Sequence, residues 1–283
     1  MITVLESITL SSEFLKNKGI ESPRINAELL LAHILNCKRL NLYLSFERPL
    51  SEEELQKYRE LLRRRSKFEP LQYIVGNVEF YGLDFKVNTS VLIPRQETEI
   101  LIETIITQFD KYGPLKILDI GTGSGNIAVS LAKHLDNSFV TAVDISEDAL
   151  KTAAENAALN SVSDRTEFIK LDFLTERLNR NDFDIVVSNP PYVSIEEFQT
   201  LAPELKEYEP KVALTDYNSG FHFYEVISAK ANLLLKPGGK LFFEVGRGQF
   251  AKITGLMTQN NFLNIKVTKD YLNIERVISG DKP

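Results

Sequence analysis

The chain reads as an α/β protein: a doubly wound, mostly parallel sheet preceded by a small all-helical module. Two patterns along the chain and one local motif predict this. Residues 1 to about 70 carry helical periodicity only, whereas from about residue 93 apolar runs alternate with amphipathic helices. Such alternation builds a parallel sheet with helices on both faces. The motif is Lys116-Ile117-Leu118-Asp119-Ile120, an apolar run that leads straight into Gly121-Thr122-Gly123-Ser124-Gly125 and then a helix from about Asn126. In open α/β sheets, ligands bind where strands end in this way.

In chain order, Leu29, Leu30, Ile34 and Leu35 recur at helical spacing. Ser51-Glu52-Glu53-Glu54 predicts a capped helix start with the acidic first turn that the helix dipole favours. That helix closes on Arg63-Arg64-Arg65-Ser66-Lys67, read as dipole-compensating surface charge or as a partner or RNA contact. Residues 72 to 90 alternate apolar and polar, with Gly76 and Gly82 as punctuation, and predict a β-hairpin. The expected organisation is therefore a helical domain over 1–70, a hairpin linker over 71–92 and a catalytic domain over 93–283.

Within the last of these, strands are expected at Ser138 to Val143, Thr166 to Leu171 and Asp182 to Ser188. A long polar, Pro-containing stretch follows to about 219; loops of that length are uncommon and often functional. Then come a helix near 220–235, a turn at Lys236-Pro237-Gly238-Gly239, a strand at 240–245 and a helix near 248–259. Two strands near 263–268 and 275–279 form the expected antiparallel edge.

Composition narrows the class. There are 33 Lys and Arg against 39 Asp and Glu in 283 residues, a net charge of −6, which disfavours an extended basic nucleic-acid footprint. Cys37 is the single cysteine and reads as a buried apolar thiol. His33, His134 and His222 are scattered and give no zinc spacing, so no metal is expected. No signal peptide or membrane span is evident, and a cytoplasmic location is the default expectation.

The chemistry-bearing residues gather at strand ends. Asn189-Pro190-Pro191-Tyr192 follows the strand that ends at Ser188. Asn offers an acceptor oxygen and a two-donor amide. The Pro pair has no N–H and fixed φ angles, so its carbonyls are rigid acceptors. Tyr192 adds a flat face with a polar tip. Together they suit a planar group bearing NH₂, although Asn-Pro is also a common turn signal. The glycine spacing is G-x-G-x-G, not the G-x-G-x-x-G of a dinucleotide fold. Asp144 ends the next strand, where a carboxylate takes ribose hydroxyls. Asp172-Phe173 ends the third and would bracket an adenine ring; singly, Asp144 also reads as a helix cap and Phe173 as a core residue.

This order of glycine loop, acidic residue, acidic-aromatic pair and Asn-Pro-Pro-Tyr resembles the class I S-adenosylmethionine-dependent methyltransferases that act on amino groups. Three further segments, Leu71-Gln72-Tyr73-Ile74-Val75-Gly76, Glu79-Phe80-Tyr81-Gly82 and Leu92-Ile93-Pro94-Arg95-Gln96-Glu97-Thr98-Glu99, are similar to the peptide chain release factor N5-glutamine methyltransferases, the PrmC/HemK family. So is Asn26-Ala27-Glu28-Leu29-Leu30-Leu31-Ala32-His33, and the likeness spans nearly the whole chain. Gln96 departs from the family's usual proline, and the stretch from Asp216 to Tyr224 lacks its Asp-Gly pair.

The resemblance implies a Rossmann-like, mostly parallel seven-stranded sheet. It implies S-adenosylmethionine bound by Asp119, Gly121, Thr122, Gly123, Ser124, Gly125, Asp144, Asp172, Phe173 and Asn189. Asn189, Pro190 and Tyr192 would be catalytic, and Asn189, Pro190, Pro191 and Tyr192 would hold the substrate. The implied substrate is the glutamine of the Gly-Gly-Gln motif in class I release factors, gripped by the helical domain of a monomeric enzyme with no membrane or nucleic-acid partner. Asn-Pro-Pro-Tyr alone also allows an N6-adenine methyltransferase acting on DNA or rRNA, because adenine too presents a planar NH₂. A nicotinamide-dependent dehydrogenase is the further rival, disfavoured by the glycine spacing.

Overall fold

A computed structural model describes residues 2–109 and 113–283. They form two compact units: residues 1–76 together with Pro203–Tyr208, and Asn77–Ala202 together with Glu209–Pro283.

The first unit is helical: α1 (Val4–Asn17), α2 (Pro23–Ile34), α3 (Arg39–Tyr43), α4 (Glu52–Arg65) and α5 (Leu71–Val75). Capping boxes start α1 (Thr3 with Glu6) and α4 (Ser51 with Glu54), each satisfying two otherwise orphaned amides. Val4, Ile8 and Leu15 of α1 pack with Leu30 and Leu31 of α2, and with Leu55, Tyr58 and Leu62 of α4. Each such aliphatic side chain contributes about 1.5–3 kcal/mol when fully buried. Cys37 is half-buried against this core. Glu28 on α2 is fully buried and is met by Arg24, Arg39 and Tyr43 at 2.7–2.8 Å.

Residues 71–75 are helical where alternation suggests a strand. Pro70 fixes the N-cap, and Gly76 closes the helix with φ 85°. The hairpin is correspondingly shorter, β1 (Asn77–Phe80) and β2 (Leu83–Lys86), and it groups with the second unit. The arginine run is also not simply surface charge. Arg65 is buried, with Nε on Asn26 Oδ1 at 2.7 Å, and Arg64 forks onto Glu69.

In the second unit follow α6 (Gln96–Phe109), β3 (Leu115–Ile120), α7 (Asn126–His134), β4 (Ser138–Asp144), α8 (Glu147–Leu159), β5 (Thr166–Lys170) and β6 (Phe183–Ser188). The long polar stretch is not a bare loop. It holds α9 (Ile195–Phe198), α10 (Pro203–Tyr208, which groups with the first unit) and α11 (Lys211–Leu214). The chain ends with α12 (His222–Leu234), β7 (Leu235–Glu244), α13 (Phe250–Gln259), β8 (Leu263–Lys269) and β9 (Glu275–Asp281).

The sheet has seven strands in the order β5-β4-β3-β6-β7-β9-β8, with β9 antiparallel to both β7 and β8 and the remaining pairs parallel. The Lys236–Gly239 turn lies inside β7 as a bulge: Phe183 pairs with Leu235 and Ile185 with Lys240. Lys282 holds the bulge, donating to Gly239 O at 2.8 Å and accepting from Gly238 at 3.1 Å. One apolar cluster fills the face of the sheet under α6 and α7, and another the face under α12 and α13.

Candidate active site

Register aligns the strand ends. Ile120 pairs with Val143 on one side and with Ser188 on the other, and Ser188 pairs in turn with Phe243. The residues that follow, Gly121, Asp144, Asn189 and Glu244, therefore leave neighbouring strands at one edge. A parallel sheet does this by construction, which is why distant segments of sequence meet here.

The glycine loop is fastened from beneath. Thr122 Oγ1 donates to Asp119 Oδ2 at 2.6 Å, and the Gly123 amide donates to Asp144 Oδ2 at 2.9 Å. Asp119 is wholly buried, so it shapes the loop from inside rather than presenting a carboxylate to open space. Burial pushes its carboxyl up to about 7, with Thr122 opposing and the Asp144 charge adding to the rise. Gly125 caps α7 at φ 79°, and a Cβ there would come within 2.9 Å of the Ala153 Cβ. Only glycine permits both that backbone and that approach. Buried Asn156 ties the loop to the hairpin, donating to Ser124 O and Lys86 O and accepting from the Lys86 amide.

Asp144 is half-buried; Oδ1 takes the Ser146 amide at 2.9 Å, and burial raises its pKa despite the amides of Ser146 and Gly123. Asp172 is half-buried and organises its own turn, accepting from Leu174 N and Thr175 Oγ1. Phe173 takes the core position that its sequence also allows. Its ring belongs to the core beside Leu118, Ile120 and Val143, with the Lys230 ammonium 5.1 Å from its centroid. Lys230 also donates to the carbonyls of Phe173, Leu174 and Glu176, fixing the turn after β5.

The Asn-Pro-Pro-Tyr segment is held at both ends. Asn189 Nδ2 donates to Thr98 Oγ1 at 3.2 Å. Gln249 Nε2 donates to Tyr192 O at 3.0 Å while its Oε1 accepts from Gly246 N. Tyr192 is half-buried against the core, and burial pushes its hydroxyl up to about 12, so it stays an O–H donor at neutral pH. Asp216 organises the segment after α11, accepting from the amides of Asn218, Gly220 and His222. Thr98, Gln249 and Glu244 also stand at this segment, beyond the residues its sequence motifs point to. Glu244 carried a usable signal, an acidic residue closing the apolar run Leu241-Phe242-Phe243.

The residues present fit S-adenosylmethionine. A Cβ at Gly121 or Gly123 would meet nothing within 4 Å, so space lies open over the loop. The Ser124 hydroxyl, 2% exposed, has no hydrogen-bond partner among the described residues. Asp144 keeps unused lone pairs at the strand end.

Comparison with known proteins agrees. Residues 6–76 match the PrmC N-terminal domain and residues 95–205 the methyltransferase small domain. A release factor glutamine methyltransferase of Fusobacterium nucleatum is 42% identical over 98% of this chain and 78% of its own length. That of Chlorobaculum tepidum is 40% identical over 98% of this chain and 96% of its own. The chain belongs to the release factor glutamine methyltransferase family.

Among solved structures, a methyltransferase from Pyrococcus furiosus superposes with a TM-score of 0.52 at 20% identity, covering 72% of this chain and 90% of that one. At that identity the likeness speaks for the fold alone: this chain has the Rossmann-like methyltransferase sheet. Segments that lie apart in sequence also meet here. Glu99 accepts from the Tyr81 amide at 2.8 Å, and Arg95 pairs with Glu209. No helix among the described residues is long and apolar enough to cross a membrane.

Proposed function

We propose that this chain transfers a methyl group from S-adenosylmethionine to the side-chain amide nitrogen, N5, of the glutamine in the Gly-Gly-Gln motif of class I peptide chain release factors. The observation that carries the reading is the register placing Gly121 and Asn189 on adjacent strand ends, β3 and β6. The names of the relatives favour the release factor over the exocyclic amine of adenine.

An amide nitrogen is a poor nucleophile because its lone pair is delocalised into the carbonyl. When bound, S-adenosylmethionine supplies a sulfonium methyl already activated for transfer. The protein must therefore orient the nitrogen and localise its lone pair. Asn189 Oδ1 and the Pro190 carbonyl accept the two N–H protons of the substrate amide, drawing the NH₂ toward tetrahedral geometry. Both acceptors stabilise the positive charge that grows on nitrogen. Alignment alone contributes up to roughly 7–11 kcal/mol in ideal cases. The methylated nitrogen is strongly acidic and sheds its proton afterwards, so no general base is required. Asp144 would accept from the ribose hydroxyls, the glycine loop would leave room for the methionine portion, and Asp172 with the Phe173 backbone would line the adenine side. Tyr192 packs against the flat amide.

The helical unit holds the release factor. Leu40, Tyr43 and Leu44 support this, a local apolar group on and just after α3 with Leu40 76% and Leu44 89% exposed. Incubating the purified protein with labelled S-adenosylmethionine and, separately, release factor, DNA and rRNA tests the assignment. Label on the Gly-Gly-Gln glutamine is expected. Label on nucleic acid but not on release factor would reject it.

A further inference from the structure

Glu244 is 2% exposed at the carboxyl end of β7, next to Asn189 across the register, and its Oε2 has no hydrogen-bond partner among the described residues. Its carboxyl sits close enough to the Thr98 hydroxyl and the Asn189 amide for both to oppose the rise in its pKa. Asn189 Nδ2 also donates to Thr98 Oγ1. The three side chains thus gather behind the Asn-Pro-Pro-Tyr segment, with Thr98 and Asn189 bonded to each other, and the reaction scheme above uses only one of them.

We propose that Glu244 is a positioning residue that sets which end of the Asn189 side-chain amide faces the reacting group, presenting Oδ1 when its carboxyl is ionised. This rests on the reading of Asn189 as an acceptor for the substrate amide. The physical reason is donor count. A carboxylate only accepts, so it takes an N–H of Asn189 and leaves Oδ1 to point away. A neutral carboxyl carries an O–H, which donates to Oδ1 and swings the NH₂ outward. An NH₂ facing a substrate NH₂ opposes donor to donor and cannot localise its lone pair.

The surroundings hold the two states close together in energy. Burial, foremost, and the Glu97 charge push the Glu244 carboxyl up; Thr98, Arg276 and Asn189 oppose them, leaving it at about 7. The groups facing it are Glu97 and Thr98 from α6, Asn189 and Tyr192 after β6, Tyr224 from α12 and Arg276 from β9. Both tyrosines are raised by burial and stay neutral through this range.

Nitrogen-15 NMR of the Asn189 side-chain amide, without cofactor or substrate, reads the coupling directly. Its resonances are expected to shift with a midpoint near pH 7 in the native protein and to stay fixed in Glu244→Gln. In saturating assays, kcat should rise roughly tenfold from about pH 6 to about pH 8 in the native enzyme, as expected for one titrating group. Glu244→Gln, whose amide donates to Oδ1 as the neutral acid does, should be held at the low-pH rate throughout. Thr98→Val should lower kcat and move the midpoint upward, because the carboxyl remains but loses the hydroxyl that opposes its rise. An Asn189 amide that does not titrate, or a Glu244→Gln enzyme with the native profile, would overturn the proposal. Failure of the native enzyme to methylate release factor would instead reject the substrate assignment, and the NMR result would still stand on its own.

Discussion

Gly220 sits so close to Tyr192 that a Cβ at Gly220 would overlap the Tyr192 carbonyl oxygen. The same carbonyl accepts from Gln249, and Gly220 itself holds φ 81°. The segment carrying Asp216 is thus pressed against the back of Asn-Pro-Pro-Tyr. Replacing Gly220 with Ala adds both a steric conflict and a strained backbone, the latter costing about 1–3 kcal/mol. The conflict falls on the last residue of the catalytic segment and not on the glycine loop. Gly220→Ala should therefore lower kcat while leaving S-adenosylhomocysteine affinity unchanged. Steady-state kinetics beside calorimetry checks it; equal losses in both would show that the effect is global.

Asn189→Ala removes one of the two acceptors for the substrate amide. By comparison with loss of one oxyanion-hole donor, kcat should fall roughly 10²–10³-fold. Cofactor binding should persist, since it relies on the glycine loop and Asp144. A mutant with near-native kcat would end the lone-pair mechanism whatever the substrate.

Asp144→Ala acts on the cofactor instead. It removes the acceptor for the ribose hydroxyls and also the Gly123 amide's partner, so S-adenosylhomocysteine affinity should drop by about 1–3 kcal/mol. Calorimetry measures this, and unchanged affinity would refute the role.

Glu28 ties the stability of the helical unit to pH on the acid side. Burial by itself would raise its pKa, but hydrogen bonds from Arg24, Arg39 and Tyr43 outweigh that and hold it below the usual carboxylate value. A depressed folded-state pKa contributes stability that is present above the unfolded pKa and lost as pH falls through the folded one. Glu28→Gln should cost about 1.5–3 kcal/mol at neutral pH, and the loss should shrink in acid below about pH 4. Urea unfolding at several pH values tests the sign; a pH-independent difference would show that the charge is not what matters.

Leu40→Ser with Leu44→Ser should raise KM for release factor without altering thermal stability, because both side chains are largely exposed. Kinetics with intact release factor beside a Gly-Gly-Gln peptide separates docking from chemistry. Equal KM changes for both substrates would place the effect at the catalytic site.

Much of the sheet is visible in the sequence because strand ends carry their own punctuation: Gly121 after Ile120, Asp144 after Val143, Asn189 after Ser188. The helix at 71–75 is not, since Leu71-Gln72-Tyr73-Ile74-Val75 is short enough to fit either period and Pro70 decides it. Phe173 reads equally as stacking residue or core, and only packing beneath Lys230 distinguishes them. The grouping of Thr98, Asn189 and Glu244 brings three elements together, so no local pattern announces it.

The residues Pro203–Tyr208 group with the helical unit although the chain on either side belongs to the second unit. Buried Arg65 meets Glu204 at 2.9 Å, and Tyr208 Oη donates to Lys67 O at 2.8 Å. A buried guanidinium stripped of its carboxylate is strongly destabilising. The N-terminal region is therefore not a cassette. Recombining residues 1–76 between relatives, or excising them with a single cut, separates Arg65 from Glu204, and a working chimera must carry both stretches of chain together.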